Sequence, residues 1–154
     1  MIMKISENQQ EIRLFNPIIT ALFGIVCLPV ACYFYAKNCQ TLNQDKNRLA
    51  NLYFAVIYLF CLIIYYIVVS ILSVYNLDEI ILMFDKGYYK FFWLYSLLLW
   101  WSILGKPQKD YIKQNYPNYQ KRNIVFVILS VTITRIAFYV ISLFILIFIH
   151  WLIV

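Results

Sequence analysis

The chain has 154 residues, 64% of them apolar and only 13% charged, and its 13 Lys and Arg against 7 Asp and Glu leave a net charge of +6. Soluble domains carry about 45–50% apolar and about 25% charged residues, so a soluble fold of this length would expose apolar patches that a monomer in water does not tolerate. The excess demands lipid or a partner, and the composition predicts an all-α, polytopic membrane protein of about four transmembrane helices, a single membrane domain over residues 1–154.

Residues 1–16 mix Lys4, Glu7, Glu11 and Arg13 with Ile2, Ile5, Ile12, Leu14 and Phe15, a pattern that predicts a short interfacial lead-in. Asn16-Pro17 reads as a helix start, because the Asn side chain can accept from a free backbone N–H and Pro at the first helical position gives up no needed donor. The uncharged residues 18–36 follow, and 19 of them at about 1.5 Å each match a hydrocarbon core about 30 Å thick. They form the first expected span, with Pro29 as a mild kink in it rather than a break. Lys4, Arg13 and Pro29-Val30-Ala31-Cys32 also resemble a bacterial lipoprotein signal. However, the apolar Tyr33-Phe34-Tyr35-Ala36 beyond Cys32 favours a retained helix.

A polar, basic connector over 37–48 leads to the second span, residues 52–75, which holds no charge. The acidic connector 76–86 carries Asp78, Glu79 and Asp85 around Ile80-Ile81-Leu82-Met83-Phe84, as an interfacial segment would. Only 15 residues, 91–105, separate Lys90 from Lys106, so the third span is extended to 87–105 with Lys90 snorkelling. Trp100 and Trp101 then fall near one interface and Tyr88, Tyr89 and Trp93 near the other. Gly105-Lys106-Pro107 is expected to end that helix. The connector 106–123 is basic, and the last span covers 124–154, 31 residues that must tilt, protrude or begin with a non-spanning turn.

In this four-span arrangement the connectors 37–48 and 106–123 carry eight Lys and Arg, against Lys4, Arg13, Lys86 and Lys90 on the other side. Both termini are therefore expected outside and the basic connectors in the cytoplasm. Lys106, Lys109, Lys113, Lys121 and Arg122 are candidate contacts to anionic lipid headgroups; no nucleic acid is expected.

Arg135 interrupts the last span, and an Arg near mid-bilayer costs about 2.5–3.5 kcal/mol. Helical spacing puts Thr132, Arg135, Tyr139, Ser142 and His150 within one sector of about 80°, a polar stripe expected to face protein or water. With no acid in any span, tyrosine hydroxyls or freed carbonyls are the expected partners of Arg135, and Asn51, Tyr58 and Tyr65 share one face of the second span. The alternative is that Arg135 is a packing anchor, or an interfacial residue ahead of a span from Ile136 to Val154.

No enzyme template fits. One His excludes a His-pair metal site, no Gly-x-Ser-x-Gly elbow occurs, and Gly105-Lys106-Pro107 lacks the rest of a phosphate loop, so neither catalysis nor a cofactor is expected. Cys27, Cys32, Cys39 and Cys61 have no metal or disulfide spacing and read as packing residues, with Cys39 the one candidate reactive or lipid-modified thiol. Phe23-Gly24, Ala31, Ala36-Lys37-Asn38 and Leu42 resemble the first helix of small bacterial inner-membrane proteins of unknown function, which implies a bacterial cytoplasmic membrane. In size and span count the chain is also similar to membrane immunity proteins. Two functions are expected from this: contact with another membrane protein, or with a second copy, through helix surfaces, or alternatively a channel or transport component using the polar stripe.

Overall fold

A computed structural model describes residues 12–75, 77, 79, 81 and 89–153. The lead-in before residue 12, most of the acidic connector and the side chain of Lys90 lie outside the described residues. The rest is helical: α1 (Pro17–Gly24), α2 (Leu28–Thr41), α3 (Asp45–Val74), α4 (Tyr89–Trp100) running through a π turn (Trp101–Gly105) into α5 (Lys106–Asn115), and α6 (Val125–Ile153). Two two-residue strands, β1 (Arg13–Leu14) and β2 (Gln120–Lys121), pair in parallel.

The helix start at Asn16 is as the sequence predicts, with its side-chain oxygen accepting from the N–H groups of Ile18 and Ile19 at 3.0 and 3.3 Å. The first expected span, however, is not one helix. The helix ends at Gly24 with Ile25 still in the α region, and the chain then passes through an extended Cys27 (φ −152°, ψ 91°) and restarts with Pro29 in the first turn of α2. Pro29 thus sets a break where a kink was expected, for its ring cannot donate to the carbonyl four residues back and sits best in a helix's opening turn.

The break folds the segment into an antiparallel hairpin. Phe15, before α1, exchanges two hydrogen bonds of 2.8 Å with the side chain of Asn38, near the end of α2. Tyr35 donates its hydroxyl to the Pro17 carbonyl at 2.8 Å, and the Phe15 and Phe34 rings meet edge to face with centroids 4.5 Å apart. At the other end of the hairpin a Cβ on Gly24 would stand 3.2 Å from that of Ala31. The chain therefore returns to the end it left, about 12 Å along α1 having been matched by the first part of α2.

The hairpin is also the core. One face of α2 (Leu28, Ala31, Cys32, Tyr35) packs on Ala55, Tyr58 and Leu62 of α3 and on Trp100, while Cys27, Val30 and Phe34 pack on Val127 and Val131 of α6. Trp100, expected at an interface, is fully buried and donates to Asn51 Oδ1 at 3.0 Å. Asn51–Trp100 and the stacked Tyr58–Phe92 pair (5.7 Å) run α3 and α4 antiparallel.

Gly105-Lys106-Pro107 does not end its helix either. The Lys106 N–H bonds the Trp101 carbonyl, an i to i−5 step, and the helix continues as α5. Widening the turn here accommodates Pro107, whose ring would otherwise press on the carbonyl four residues back. The half of the basic connector nearest the π turn is thus a helix, and its Ile112 closes a small second core with Leu14 and Leu42.

Candidate functional site

The hairpin's turn interrupts helix between α1 and α2, with Ile25 and Val26 exposed and Cys27 buried, and polar chemistry gathers there. Val26 lies in the turn, so its carbonyl is not consumed by a continuous helix. Arg135 of α6 donates to it twice, from Nε at 3.0 Å and Nη2 at 2.6 Å. Arg135 stands ten residues into α6 from Val125, about 15 Å along its axis and half the thickness of a hydrocarbon core. Among the described residues the ion pairs are Arg48–Asp45 and Lys109–Asp110, both remote from it, so its charge meets a carbonyl dipole and no carboxylate.

A cleft of about 520 Å³ opens beside this contact. Its walls among the described residues are the hairpin turn, one face of α3 with Tyr58, Tyr65 and Tyr66, Ile81 of the acidic connector, Trp93 of α4, and Arg135 and Tyr139 of α6. The stripe predicted on the last helix is thereby divided. Arg135 and Tyr139 reach the cleft; Thr132 and Ser142 donate to carbonyls of their own helix, Ile128 at 3.0 Å and Tyr139 at 2.9 Å; and His150 is exposed in the last turn. The α3 face shared by Asn51, Tyr58 and Tyr65 does turn inward, with Tyr58 and Tyr65 on the cleft wall and Asn51 bound to Trp100.

The basic residues gather at the base of the hairpin. Nine of the described Lys and Arg (Arg13, Lys37, Lys46, Arg48, Lys106, Lys109, Lys113, Lys121 and Arg122) belong to β1, the end of α2, the start of α3, and the segment from α5 to the residue after β2. Arg122, expected as a lipid contact, is exposed and also acts as a clasp: its Nε donates to the Arg13 carbonyl at 2.8 Å and its guanidinium lies 5.3 Å from the Phe15 ring centroid. The Gln120 and Arg122 amides complete the tie by donating to the Ile12 and Leu14 carbonyls. Lys106, Lys113 and Lys121 are exposed, and Lys109 is half-buried with its ammonium 6.0 Å from the Trp101 ring centroid.

Cys39, three residues beyond the first expected span, is not a reactive thiol. It is fully buried, accepts from Gln108 Nε2 at 2.6 Å, and burial pushes its thiol up to about 12. Gln108 also donates to the Tyr35 carbonyl at 3.1 Å, so it joins α5 to α2. Sequence reasoning passed over the bonding of Asn38 and Gln108 and read Arg122 only as a lipid contact, because each sits in a polar stretch where a solvated side chain is the ordinary outcome. Among the described residues no cluster of His, Cys, Asp and Glu could hold a metal ion. The chain matches no protein-family profile, no curated protein and no solved structure.

Proposed function

We propose that the protein is a small, non-enzymatic integral membrane protein that works through helix-surface contacts with another membrane protein, as an accessory subunit or an immunity-type protein does. The observation that carries this reading is α6. It is long and apolar enough to cross a bilayer, yet nothing in its most apolar 18-residue window is buried, unlike the core helix of a soluble domain. Such a surface needs lipid on part of its circumference and is open to a partner helix on the rest. α3 is the second helix of sufficient length, with 22% of its window buried.

The fold supports three crossings and one re-entrant hairpin in place of four crossings. On that plan α1 and α2 enter and leave by the same face, while α3, α4 with its π turn, and α6 cross. Non-helical backbone at membrane depth is tolerated where protein satisfies it or a cavity hydrates it; the Val26 carbonyl is bonded by Arg135 and adjoins the cleft. Arg13 moves from the outer side of the earlier count to the basic side, which strengthens the charge bias that orients the protein. The N-terminal end and the segment around 106–123 then face the cytoplasm of a bacterium, and the C-terminal end faces outward.

Purification in mild detergent after cross-linking should recover a defined membrane partner or a second copy, and recovery of uncross-linked monomer alone would count against the interaction reading. Tags before residue 12 and within 116–119 should be reached from the same side, and a tag after Val154 from the other. A transport role is favoured only by the Arg135 cleft, and solute flux unchanged by Arg135→Leu would remove it.

A further inference from the structure

We infer that the cleft at the hairpin turn is a binding site for an anionic amphiphile, a carboxylate or phosphate headgroup on a single apolar chain, with Arg135 as the headgroup contact. Its volume, about 520 Å³, lies within the about 300–1,000 Å³ typical of pockets that enclose one small organic molecule. The walls are aromatic and aliphatic, as an acyl chain requires, and their one formal charge among the described lining residues is Arg135.

The charge decides the class of ligand. Guanidinium offers five N–H donors in a planar fork that matches carboxylate and phosphate oxygens, and the Val26 carbonyl occupies those on Nε and on one edge of Nη2. A carbonyl dipole orients the group without neutralising it. Among the described lining residues that leaves a field favouring an anion over a cation, which weighs against the cation–π alternative that Tyr and Trp walls would otherwise suggest. The hairpin break has a part in this: it supplies the backbone acceptor that aims the guanidinium along the cleft wall. The site belongs to the chain itself and stands whether or not a protein partner is found.

The test uses the full chain in nanodiscs and the fluorescence of Trp93, which lines the cleft. The probes are dibromostearate, the phosphate monoester of dibromostearyl alcohol, and the methyl ester of dibromostearate, whose bromines quench a tryptophan they touch. At least one anionic probe should quench saturably, be displaced by unbrominated stearate or stearyl phosphate, and half-saturate at about a tenfold or more lower mole fraction than the methyl ester. The better of the two anions identifies the headgroup. Trp93→Phe should remove the saturable quenching and Arg135→Gln the preference for anions. Because Arg135→Gln also releases the Val26 carbonyl, Val69→Phe, which narrows the cleft and leaves that contact intact, should weaken saturable binding on its own. A methyl ester that binds as well as the anions, quenching that survives Trp93→Phe, or binding unchanged by Val69→Phe would overturn the inference.

Discussion

Replacing Asn38 by Leu tests whether the hairpin is closed at its base by the two bonds to Phe15. Asn38 is 1% exposed, and its side chain both accepts from Phe15 N–H and donates to Phe15 C=O at 2.8 Å. Leucine fills the same volume and bonds neither, and each buried backbone group left unmade costs about 1–3 kcal/mol. The strand could escape by peeling off into water. It would then lose the burial of Leu14 and Phe15, worth about 1.5–3 kcal/mol each, together with its ties to Gln120 and Arg122. Release therefore costs at least as much as staying, and a destabilisation of about 2–4 kcal/mol is expected, partly offset by the added apolar side chain. Reversible unfolding in mixed micelles measures it, and hydrogen exchange at the Phe15 amide localises it. Asn38→Asp keeps the acceptor but sets a carboxylate against a carbonyl oxygen. It should be most stable in acid, where the protonated carboxyl can donate, and should lose stability as the pH rises. A Leu variant within about 0.5 kcal/mol of the parent, with Phe15 still protected, would refute the closure.

Gly105→Ala should destabilise by about 1–3 kcal/mol, because its Cβ would stand 2.5 Å from Cε3 of Trp101; Trp101→Leu in the same chain should recover most of the loss in the same unfolding assay. Asn51→Leu and Trp100→Phe should each cost about 1–3 kcal/mol, and a double-mutant cycle should return a coupling of about 1 kcal/mol for their buried bond. With its thiol pushed up to about 12 from an ordinary value of 9.0, Cys39 should resist maleimide at pH 8 in the folded protein and react promptly in SDS. Its folded value is the raised one, so the stability it contributes is complete below about pH 9 and is lost as pH climbs toward about 12, which unfolding at graded alkaline pH measures.

Length and apolarity made α3 and α6 legible from sequence, and the Asn16-Pro17 start was legible from capping chemistry. The hairpin was not. An uncharged run of 19 residues has the same hydropathy whether it crosses a bilayer or folds back on itself, and what distinguishes the two is local: Pro29 in an opening turn, and Asn38 bonding Phe15 across 23 residues. The helix running past Pro107 was missed for a related reason, since charge marks where a chain meets water and not where its helix stops. On the last helix, periodicity put five polar residues on one sector. Periodicity could not say that Thr132 and Ser142 satisfy themselves on their own backbone, which leaves Arg135 and Tyr139 to face the cleft.

On the proposed plan of three crossings and a re-entrant hairpin, two penalties meet at Arg135 and explain each other. An arginine at membrane depth costs about 2.5–3.5 kcal/mol, and a bare carbonyl in hydrocarbon costs several. Each alone disfavours the fold, whereas two charge-assisted bonds from the guanidinium to Val26 O offset both. The sign of an Arg135→Leu change should therefore depend on context. In an isolated peptide covering Val125–Ile153 it should favour insertion into vesicles, because only the cost of the charge is removed. In the whole chain it should destabilise by about 1–3 kcal/mol, because the Val26 carbonyl loses its partner. Insertion of the peptide is measured by tryptophan fluorescence at Trp151, and stability of the chain by unfolding in micelles. If leucine stabilises both, the turn draws no support from Arg135 and the re-entrant hairpin needs another cap; if it destabilises only the chain, the hairpin and the arginine are a single device.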